Sequence, residues 1–417
     1  MDSRSQGVAG LPLEQVSQSG SAVRFEISAI GGVFEGKLEE AGTRMTGQWR
    51  QGAGSLPLTF RRLEKEPELQ RPQDPRKPYP YREEEVLFEN RAGGVKLAGT
   101  LTLPGTKGAP SPKGTPAVLL VTGSGPQDRN EAIAGHRPFL VLADRLTRLG
   151  LAVLRVDDRG VGGSTGDLGK ATLEDLAQDA LAGVGYLKGR KEIDPARIGL
   201  IGHSEGGLVA PMAAAGSTDL AFLVLLAAPG LPGEQILYLQ SDLILKALGA
   251  PEEAAAKNRQ LQELAFGALK AEPDLTEAGK KIREALAPFL KDPLTAPMAK
   301  RLEAQLPMTL TPGFRFFLTY DPRPSLGKVR VPVLALTGEL DLQVPPKQNL
   351  PEIARALEEG GNSRYAIAKL PRLNHLLQTA QTGSPMEYAQ IEETIAPLAL
   401  DTMAEWILRV TGLKARE

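Results

Sequence analysis

The sequence predicts an α/β fold: a mostly parallel sheet with helices on both faces, an inserted helical cap and a small N-terminal β-rich domain. From residue 83 onward, short apolar runs typical of buried strands alternate with helical segments, which favours a parallel sheet covered on both sides. A long interval after Leu226 contains helical patterns but no strand pattern, and it is too long for a simple connection, so it predicts the cap.

The composition excludes several classes of protein. The 417-residue chain has a formal net charge of −1, which gives no electrostatic reason to expect nucleic acid or an anionic membrane as a partner. It has no run of 18 apolar residues, so no membrane span is expected. It has no cysteine, which excludes disulfides, cysteine-ligated metals and a thiolate nucleophile. The first twenty residues lack the apolar segment of a signal peptide, and the compartment, cytoplasmic or exported, stays open.

Four segments are predicted along the chain. Residues 1–64 show short alternating strand patterns and form the predicted small β-rich N-terminal domain. Residues 65–82 contain five prolines among charged residues and predict a semi-rigid linker. The α/β core is predicted over 83–229 and 322–417, and the helical cap or lid over 230–321. Three roles stay open for the N-terminal domain: docking on the core, supporting a homodimer, or binding a surface.

The individual elements of the core and cap follow from apolar periodicity and from Gly and Pro boundaries. The predicted core strands are Glu85–Asn90, Lys96–Leu103, Ala117–Thr122, Ala152–Val156, Ile198–Ile201, Ala221–Leu226, Val333–Thr337 and Arg364–Leu370. The predicted core helices are Phe139–Leu149, Leu173–Lys188, Gly207–Ala215, Pro351–Glu359 and Glu392–Arg409. The predicted cap helices are Leu237–Leu248, Glu252–Leu269, Thr276–Ala285 and Ala296–Leu306.

The segment 202–206, Gly-His-Ser-Glu-Gly, is the strongest chemical signal in the sequence. It fits the pattern G-x-S-x-G, and it lies between a predicted strand and a helix of small residues, as a nucleophile elbow requires. The serine of such an elbow sits in a sharp turn, where only small residues fit two positions before and after it. Ser204 is therefore predicted as a nucleophile, the alternative being an ordinary glycine-rich turn.

A serine hydroxyl needs a base, and the chain has only three histidines. His203 is next to Ser204, so its side chain should diverge from the serine, and a structural role is predicted. His136 lies in a polar loop upstream of the nucleophile strand. His375 follows the last predicted strand and precedes the final helix, where the order serine, acid, histidine requires the base. His375 is therefore predicted as the general base.

The imidazole in turn needs a carboxylate that fixes its tautomer. The strand Val333–Thr337 runs into a loop that contains Glu339 and Asp341. Asp341 is predicted as the acid and Glu339 is the alternative. Both could instead be loop carboxylates that cap the next helix.

Two backbone donors are predicted for an oxyanion hole. One is the N–H of Glu205, at the start of the following helix. The other comes from the glycine-containing loop after Ala117–Thr122, where Ser124 is preferred and Gly125 is the alternative. This loop has neither the P-loop pattern nor the third glycine of a dinucleotide fingerprint, so no phosphate or nucleotide site is predicted.

Asp157 and Asp158 follow the strand Ala152–Val156 and could be imagined as metal ligands. The preferred interpretation is that they pair with Arg155 or Arg159 and form a wall at the mouth of the site. No metal is predicted.

The segments 122–129, 155–160 and 202–207 together resemble the α/β-hydrolase superfamily, and within it the bacterial EstD-like serine carboxylesterases, which carry an N-terminal β domain and a helical cap. This resemblance implies hydrolysis of a small-molecule carboxylic ester with short to medium acyl chains and no cofactor. It places the nucleophile at Ser204, the base at His375 and the acid at Asp341.

Two departures limit what the resemblance implies. The acidic Glu205 stands where many esterases carry a neutral or apolar residue. The oxyanion loop lacks His-Gly-Gly-Gly, which disfavours the esterases that resemble hormone-sensitive lipase. A peptidase or aminopeptidase, a thioesterase, and a non-catalytic ligand-binding protein of the same fold are the alternatives. The cap is expected to cover the substrate pocket with apolar side chains, namely Leu237, Leu239, Phe314, Phe316 and Phe317.

Overall fold

The computed structural model describes residues 13–27, 31–51, 54–62, 70–105 and 114–413. The chain divides into two compact units. One comprises the chain up to Arg71 together with Met386–Glu392, and the other comprises Pro72–Pro385 and the chain from Glu393 onward. Each unit contains its own sheet.

The first unit is an antiparallel sheet of five strands paired in chain order. Phe25, Ile27, Phe34 and Trp49 form its buried hydrophobic cluster, because alternate side chains point to one face of the sheet. The first strand was not predicted, since its sequence EQVSQS has almost no apolar residue to alternate. The strands are β1 (Glu14–Ser19), β2 (Ala22–Ile27), β3 (Gly32–Glu39), β4 (Arg44–Gln51) and β5 (Gly54–Arg61).

The predicted linker, 65–82, is described only from residue 70. Residues 70–81 form neither helix nor strand, and the first strand of the second unit already begins at Arg82. The first part of the predicted linker lies outside the described residues.

The second unit is built on an eight-stranded sheet in the order β13-β12-β11-β10-β8-β9-β7-β6. All neighbours are parallel except β6 with β7 and β7 with β9. This mostly parallel sheet confirms the predicted fold class. The prediction rested on continuous apolar strands, which are typical of parallel sheets buried on both faces. The strands are β6 (Arg82–Asn90), β7 (Val95–Leu103), β8 (Thr115–Val121), β9 (Ala152–Val156), β10 (Ile193–His203), β11 (Phe222–Leu226), β12 (Val333–Gly338) and β13 (Tyr365–Leu370).

Helices cover both faces of this sheet and bury a hydrophobic cluster on each side. On one face, α1 (Pro138–Arg148) and α11 (Pro397–Thr411) pack against the sheet. On the other face lie α2 (Leu173–Lys188), α3 (Gly206–Ala215) and α10 (Pro346–Glu359). Each fully buried Leu, Ile or Phe side chain stabilises the fold by about 1.5–3 kcal/mol, so these two clusters hold the sheet rigid beneath its loops.

The interval between β11 and β12 is helical, as predicted. Its first five helices include a hydrophobic cluster of their own, with Leu261, Ile282 and Leu286 at its centre. No strand lies between these two sheet strands, a segment that the structure describes in full. The helices are α4 (Gly233–Ala247), α5 (Glu252–Ala271), α6 (Leu275–Leu286), α7 (Ala296–Thr309), α8 (Pro312–Thr319) and α9 (Arg323–Leu326).

Two core helices begin five residues away from the predicted start, and two others, α1 and α3, begin one residue earlier than predicted. The helix α10 begins at Pro346 and not at Pro351, and α11 begins at Pro397 and not at Glu392. Both α10 and α11 begin with proline in the first turn, where its missing N–H costs nothing and its fixed φ suits the helix. Within the described part of the chain, none of the helices has both the length and the apolar character needed to cross a membrane.

Candidate active site

Ser204 lies in a sharp turn between β10 and α3, at the centre of the sheet. Its φ is +52°, a left-handed conformation that few non-glycine residues adopt. The turn is fixed because the Ser204 N–H donates to the Leu226 carbonyl (2.8 Å) and the Gly207 N–H donates to the Ser204 carbonyl (2.9 Å). A methyl group at Gly202 would overlap the backbone of Gly206. The spacing of small residues around the serine is therefore a steric requirement of this turn.

His375 lies between Ser204 and Asp341. Its Nε2 is 3.1 Å from the Ser204 Oγ, and its Nδ1 is 2.8 Å from the Asp341 Oδ2. Because the carboxylate accepts a hydrogen bond, Nδ1 carries the proton and the Nε2 lone pair faces the serine hydroxyl. The side chains of His375 and Asp341 are only 5% and 0% exposed, so water does not compete for the contact between Nδ1 and the carboxylate. The structure thus brings together the three residues that the sequence singled out.

Asp341 is held by the loop that follows β12. Its Oδ1 accepts the backbone N–H groups of Gln343 and Val344, both at 2.8 Å, which leaves Oδ2 for the imidazole. Glu339, the alternative acid, contacts Lys369 (3.3 Å), and the hydrogen bond from that lysine lowers the pKa of the Glu339 carboxyl. Asp341 is therefore the carboxylate that contacts His375.

The loop that carries His375 is held by a buried network which the sequence did not reveal. Asn374 donates through Nδ2 to the Gln378 Oε1 (2.9 Å), and Gln378 donates through Nε2 to the His136 Nε2 (2.9 Å). His136 then has its proton on Nδ1, which lies 3.0 Å from the Thr394 Oγ1. No local pattern marks these four residues, because they meet only through the tertiary fold.

His203 turns away from Ser204, as predicted, and contacts two other elements. Its Nδ1 is 2.9 Å from Oε1 of Glu131, and its Nε2 is 3.2 Å from the His375 carbonyl oxygen. Burial lowers the pKa of His203, but the charge of the adjacent Glu131 carboxylate, together with the hydrogen bonds to Glu131 and to the His375 carbonyl, raises that pKa above its ordinary value. Glu131 was not singled out from the sequence.

The backbone donors predicted for an oxyanion hole lie in two loops next to Ser204. Gly123 packs against the serine and donates its N–H to the Glu131 Oε1 (2.6 Å). The N–H groups of Ser124 and Glu205 have no hydrogen-bond acceptor among the described residues. Gly125, the alternative to Ser124, has a φ of +89°, a left-handed turn that glycine adopts without strain.

Asp157 does not pair with Arg155 or Arg159, and that prediction is wrong. Its carboxylate accepts from the Nε and Nη2 of Arg129, at 3.0 and 2.7 Å. Arg129 comes from the loop after β8, and Asp157 follows β9. The two residues meet because β8 and β9 are neighbours in the sheet, and this strand order cannot be predicted from local sequence patterns. Arg159 instead pairs with Asp179.

Asp158 also has partners other than the predicted arginines. It accepts from the Thr122 Oγ1 (2.7 Å) and from the Gln127 N–H (2.9 Å). Across the described ranges, no group of three or more His, Cys, Asp and Glu side chains is arranged to hold a metal ion.

A pocket with a cavity volume of about 60 Å³ borders the oxyanion loop, and Gly123, Gly125, Asp158 and Glu205 line it together with apolar side chains. Burial raises the pKa of Glu205 to about 7, with a further contribution from the charge of Asp158. Burial also raises the pKa of Asp158 to about 7, against the hydrogen bonds from Thr122 and Gln127 that lower it. Near neutral pH this pocket therefore carries partly protonated carboxyls. Its apolar lining residues include Leu97, Leu119, Leu176 and Val209.

The apolar cap residues named from the sequence do not line this pocket. Leu237 and Phe314 pack into the hydrophobic cluster of the cap. Phe316 and Phe317 pack against the core cluster that contains α2 and α3. These four side chains therefore stabilise the cap and its attachment to the core.

The sheet order, the serine elbow and the histidine loop after the last strand define a protein of the α/β-hydrolase fold. The sequence profile of the family described as serine aminopeptidase, S33, matches residues 137–379, which is more than half of the chain. The chain belongs to that family.

The predicted resemblance to the EstD-like esterases is confirmed by the similarity of the chain to a relative of that name. The chain is 28% identical over 304 residues to Esterase EstD of Thermotoga maritima, covering 70% of this chain and 62% of EstD. It is 44% identical over 78 residues to an uncharacterized protein of Mycobacterium tuberculosis, covering 18% of this chain and 27% of that protein. The chain thus spans less than two thirds of these relatives. Among solved structures, the alpha/beta hydrolase GrgF from Penicillium sp. sh18 has a TM-score of 0.49 at 17% identity, covering 79% of this chain and 99% of GrgF.

Proposed function

We propose that the chain hydrolyses carboxylic esters with short to medium acyl chains through Ser204, His375 and Asp341. The observation that carries this proposal is the hydrogen-bonded series from the Ser204 Oγ through both nitrogens of His375 to Asp341, with distances of 3.1 and 2.8 Å. Membership of a serine hydrolytic family and similarity to a relative named as an esterase support it.

In the proposed acylation step, the Ser204 Oγ attacks the ester carbonyl carbon while the Nε2 of His375 takes the hydroxyl proton. Asp341 accepts the Nδ1–H and stabilises the imidazolium that forms. The tetrahedral intermediate then collapses, the bond to the leaving alcohol breaks, and the imidazolium returns the proton to that oxygen. An acyl group remains on Ser204.

The charge on the carbonyl oxygen must be stabilised during this step. The backbone N–H groups of Glu205 and Ser124 are the proposed donors, with Gly125 as the alternative to Ser124, because Ser124 and Glu205 have no internal acceptor in the described chain. Glu205 also precedes the first turn of α3, where the helix dipole favours negative charge.

In the deacylation step, water takes the place of the alcohol. His375 accepts a proton from the water as its oxygen attacks the acyl carbon, and the same donors hold the second oxyanion. The carboxylic acid leaves when the proton returns to the Ser204 Oγ. None of these steps needs a cofactor.

An ester series tests the proposal. Initial rates are measured on p-nitrophenyl esters from C2 to C16 with the wild type and the Ser204→Ala variant. A maximum at C4–C8 that disappears in the variant is the expected result. Activity that survives Ser204→Ala would place the nucleophile elsewhere. Absence of turnover by the wild type, with ligand binding retained in both proteins, would favour a non-catalytic binding protein of this fold.

An aminopeptidase is the second candidate function, and the pocket carboxyls favour it. Asp158 and Glu205 line the pocket that borders the oxyanion loop and are at least partly ionised above neutral pH, where they could attract the free α-ammonium of a peptide. Hydrolysis of a peptide bond would use the same residues and the same acyl intermediate as ester hydrolysis, and the two reactions differ in the leaving group, an amine or an alcohol. Aminoacyl p-nitroanilides therefore accompany the ester series, and anilide turnover that falls in Glu205→Gln would establish this alternative.

A p-nitrophenyl thioester of matched chain length tests the thioesterase alternative.

A further inference from the structure

Glu131 and His203 form a buried contact that joins three elements of the candidate site. Glu131 is 3% exposed and lies in the loop between β8 and α1. Its Oε1 accepts the Gly123 N–H at 2.6 Å and lies 2.9 Å from the His203 Nδ1. One carboxylate oxygen therefore holds the start of the oxyanion loop and the residue directly before the nucleophile.

The other ring nitrogen of His203 extends the connection to the general base. Its Nε2 lies 3.2 Å from the His375 carbonyl oxygen, and the two imidazole rings are 5.0 Å apart. A carbonyl oxygen can only accept, so the Nε2 of His203 must carry a hydrogen. Because Nδ1 faces a carboxylate, a second hydrogen on Nδ1 gives an imidazolium whose charge is balanced by Glu131.

The backbone of Glu131 indicates that the surrounding structure determines its position. Its φ is +52°, a left-handed conformation that is unfavourable for a glutamate and persists where neighbouring contacts impose it. The Glu131 N–H donates to the Asp128 carbonyl (2.8 Å), which closes this turn and directs the side chain toward Gly123.

We propose that Glu131 and His203 are a buried ion pair that positions the oxyanion loop and the catalytic histidine relative to Ser204. This inference rests on the proposed hydrolase function. Neither residue touches the substrate. Glu131 acts through Gly123, whose N–H it occupies, so that the oxyanion donor must be the next free N–H along the loop. His203 acts through the backbone of His375.

The kinetics of two Glu131 variants, compared with one control variant, test the positioning role. Glu131→Ala removes the acceptor for Gly123 and the charge beside His203, whereas Glu131→Gln keeps an acceptor and removes only the charge. Loss of loop alignment should lower kcat of Glu131→Ala about 100-fold with KM changed less than about 3-fold, and Glu131→Gln should recover at least about 10-fold of that loss.

Thr147→Val is the matched control. Thr147 is also buried, and its Oγ1 makes a 2.6 Å hydrogen bond to the Thr102 Oγ1 away from the candidate site. It should lower the thermal midpoint while kcat at 25 °C changes less than about 2-fold, because its side-chain hydrogen bond runs to Thr102 on β7 and not to a loop of the site. If Glu131→Ala has the kinetics of Thr147→Val while the wild type hydrolyses esters, the positioning role is wrong and the proposed function stands. If wild type and Ser204→Ala are equally inactive, the proposed function fails instead.

The protonation state of His203 is tested without any substrate. With only three histidines, ¹⁵N-histidine labelling gives three imidazoles that single variants can assign. At pH 7, where a free imidazole of pKa about 6.5 is mostly neutral, His203 should carry hydrogen on both nitrogens. In Glu131→Gln it should be neutral with its hydrogen on Nε2. A neutral His203 in the wild type at pH 7 would overturn the ion pair.

Discussion

At the scale of single residues, Ser204 has a strained backbone and a side-chain hydroxyl at hydrogen-bond distance from His375. A non-glycine residue in the left-handed region costs about 1–3 kcal/mol, and such strain persists only where surrounding structure determines the conformation. At Ser204, the bond to the Leu226 carbonyl and the close approach of Gly202 and Gly206 provide that structure. The fold thus holds the hydroxyl at the carboxyl end of the central strand β10, 3.1 Å from the Nε2 of His375.

Asp341→Asn should lower kcat by about 10³–10⁴-fold, because an asparagine amide can donate to Nδ1 and leave the proton of His375 on Nε2, where it cannot accept from Ser204. Initial rates on p-nitrophenyl butyrate measure the effect. Glu339→Gln is the control, since Glu339 contacts Lys369 and not His375. A comparable loss of activity in both variants, or none in Asp341→Asn, would contradict the role proposed for Asp341.

The sequence predicted the three residues that contact one another in the site, but not the residues that hold them. Ser204, Asp341 and His375 each follow a strand, and chain order together with a count of three histidines was enough to propose them. Glu131 and Gln378 come from turns without a recognisable pattern and reach the site only through the sheet order. Arg129 was missed as the partner of Asp157 for the same reason.

At the scale of elements, the close approach of β10 and α3 makes the elbow intolerant of side chains. A methyl group at Gly202 would overlap the Gly206 backbone, so Gly202→Ala should lower the free energy of unfolding by at least about 1–3 kcal/mol, the usual cost of overpacking. Urea unfolding followed by circular dichroism measures this change.

Gly185→Ala is the control for that substitution. Gly185 lies on the exposed side of α2, where a methyl group would meet no atom within 4 Å, and alanine should stabilise the helix by about 0.5–1 kcal/mol. Equal effects of the two substitutions would show that the elbow has no special steric requirement.

Helix boundaries were predictable where local signals agree. The helix α2 has the predicted bounds, Leu173–Lys188, because Thr172 and Asp175 form a capping box at its start and Gly189 follows its end. For α10 the sequence offers several prolines, and the apolar periodicity alone did not identify Pro346 as the start. The helix α8 was missed, since its eight residues are too few to show a period.

At the scale of the whole molecule, the pocket carboxyls couple folding to pH. The pKa of Glu205 is raised from 4.5 to about 7 in the folded protein. Between these two values the folded state binds more protons than the unfolded chain, so the free energy of unfolding falls as pH rises across this window. Above about pH 7 the full destabilisation by this group is present.

Glu205→Gln should remove that destabilisation. The variant should be more stable than the wild type by about 1–2 kcal/mol at pH 8 and by much less at pH 5, a figure reduced for partial solvation of the carboxyl. Urea unfolding at both pH values measures the difference. Glu339→Gln should show no gain at pH 8, because Lys369 lowers the pKa of Glu339. An equal gain for Glu205→Gln at pH 5 and pH 8 would contradict the expected titration.

Because every imidazole in the chain is buried, the outer surface of the folded molecule presents no histidine side chain. His136, His203 and His375 are all 8% exposed or less, and they are the only histidines in the sequence. A reagent that acylates imidazoles therefore reaches only His375, through the candidate site, in the native protein, and it reaches His136 and His203 as well once the chain opens. Its rate of reaction at these last two residues reports opening of the fold directly, so the intact protein carries a built-in marker of its own unfolding that requires no label and no substrate.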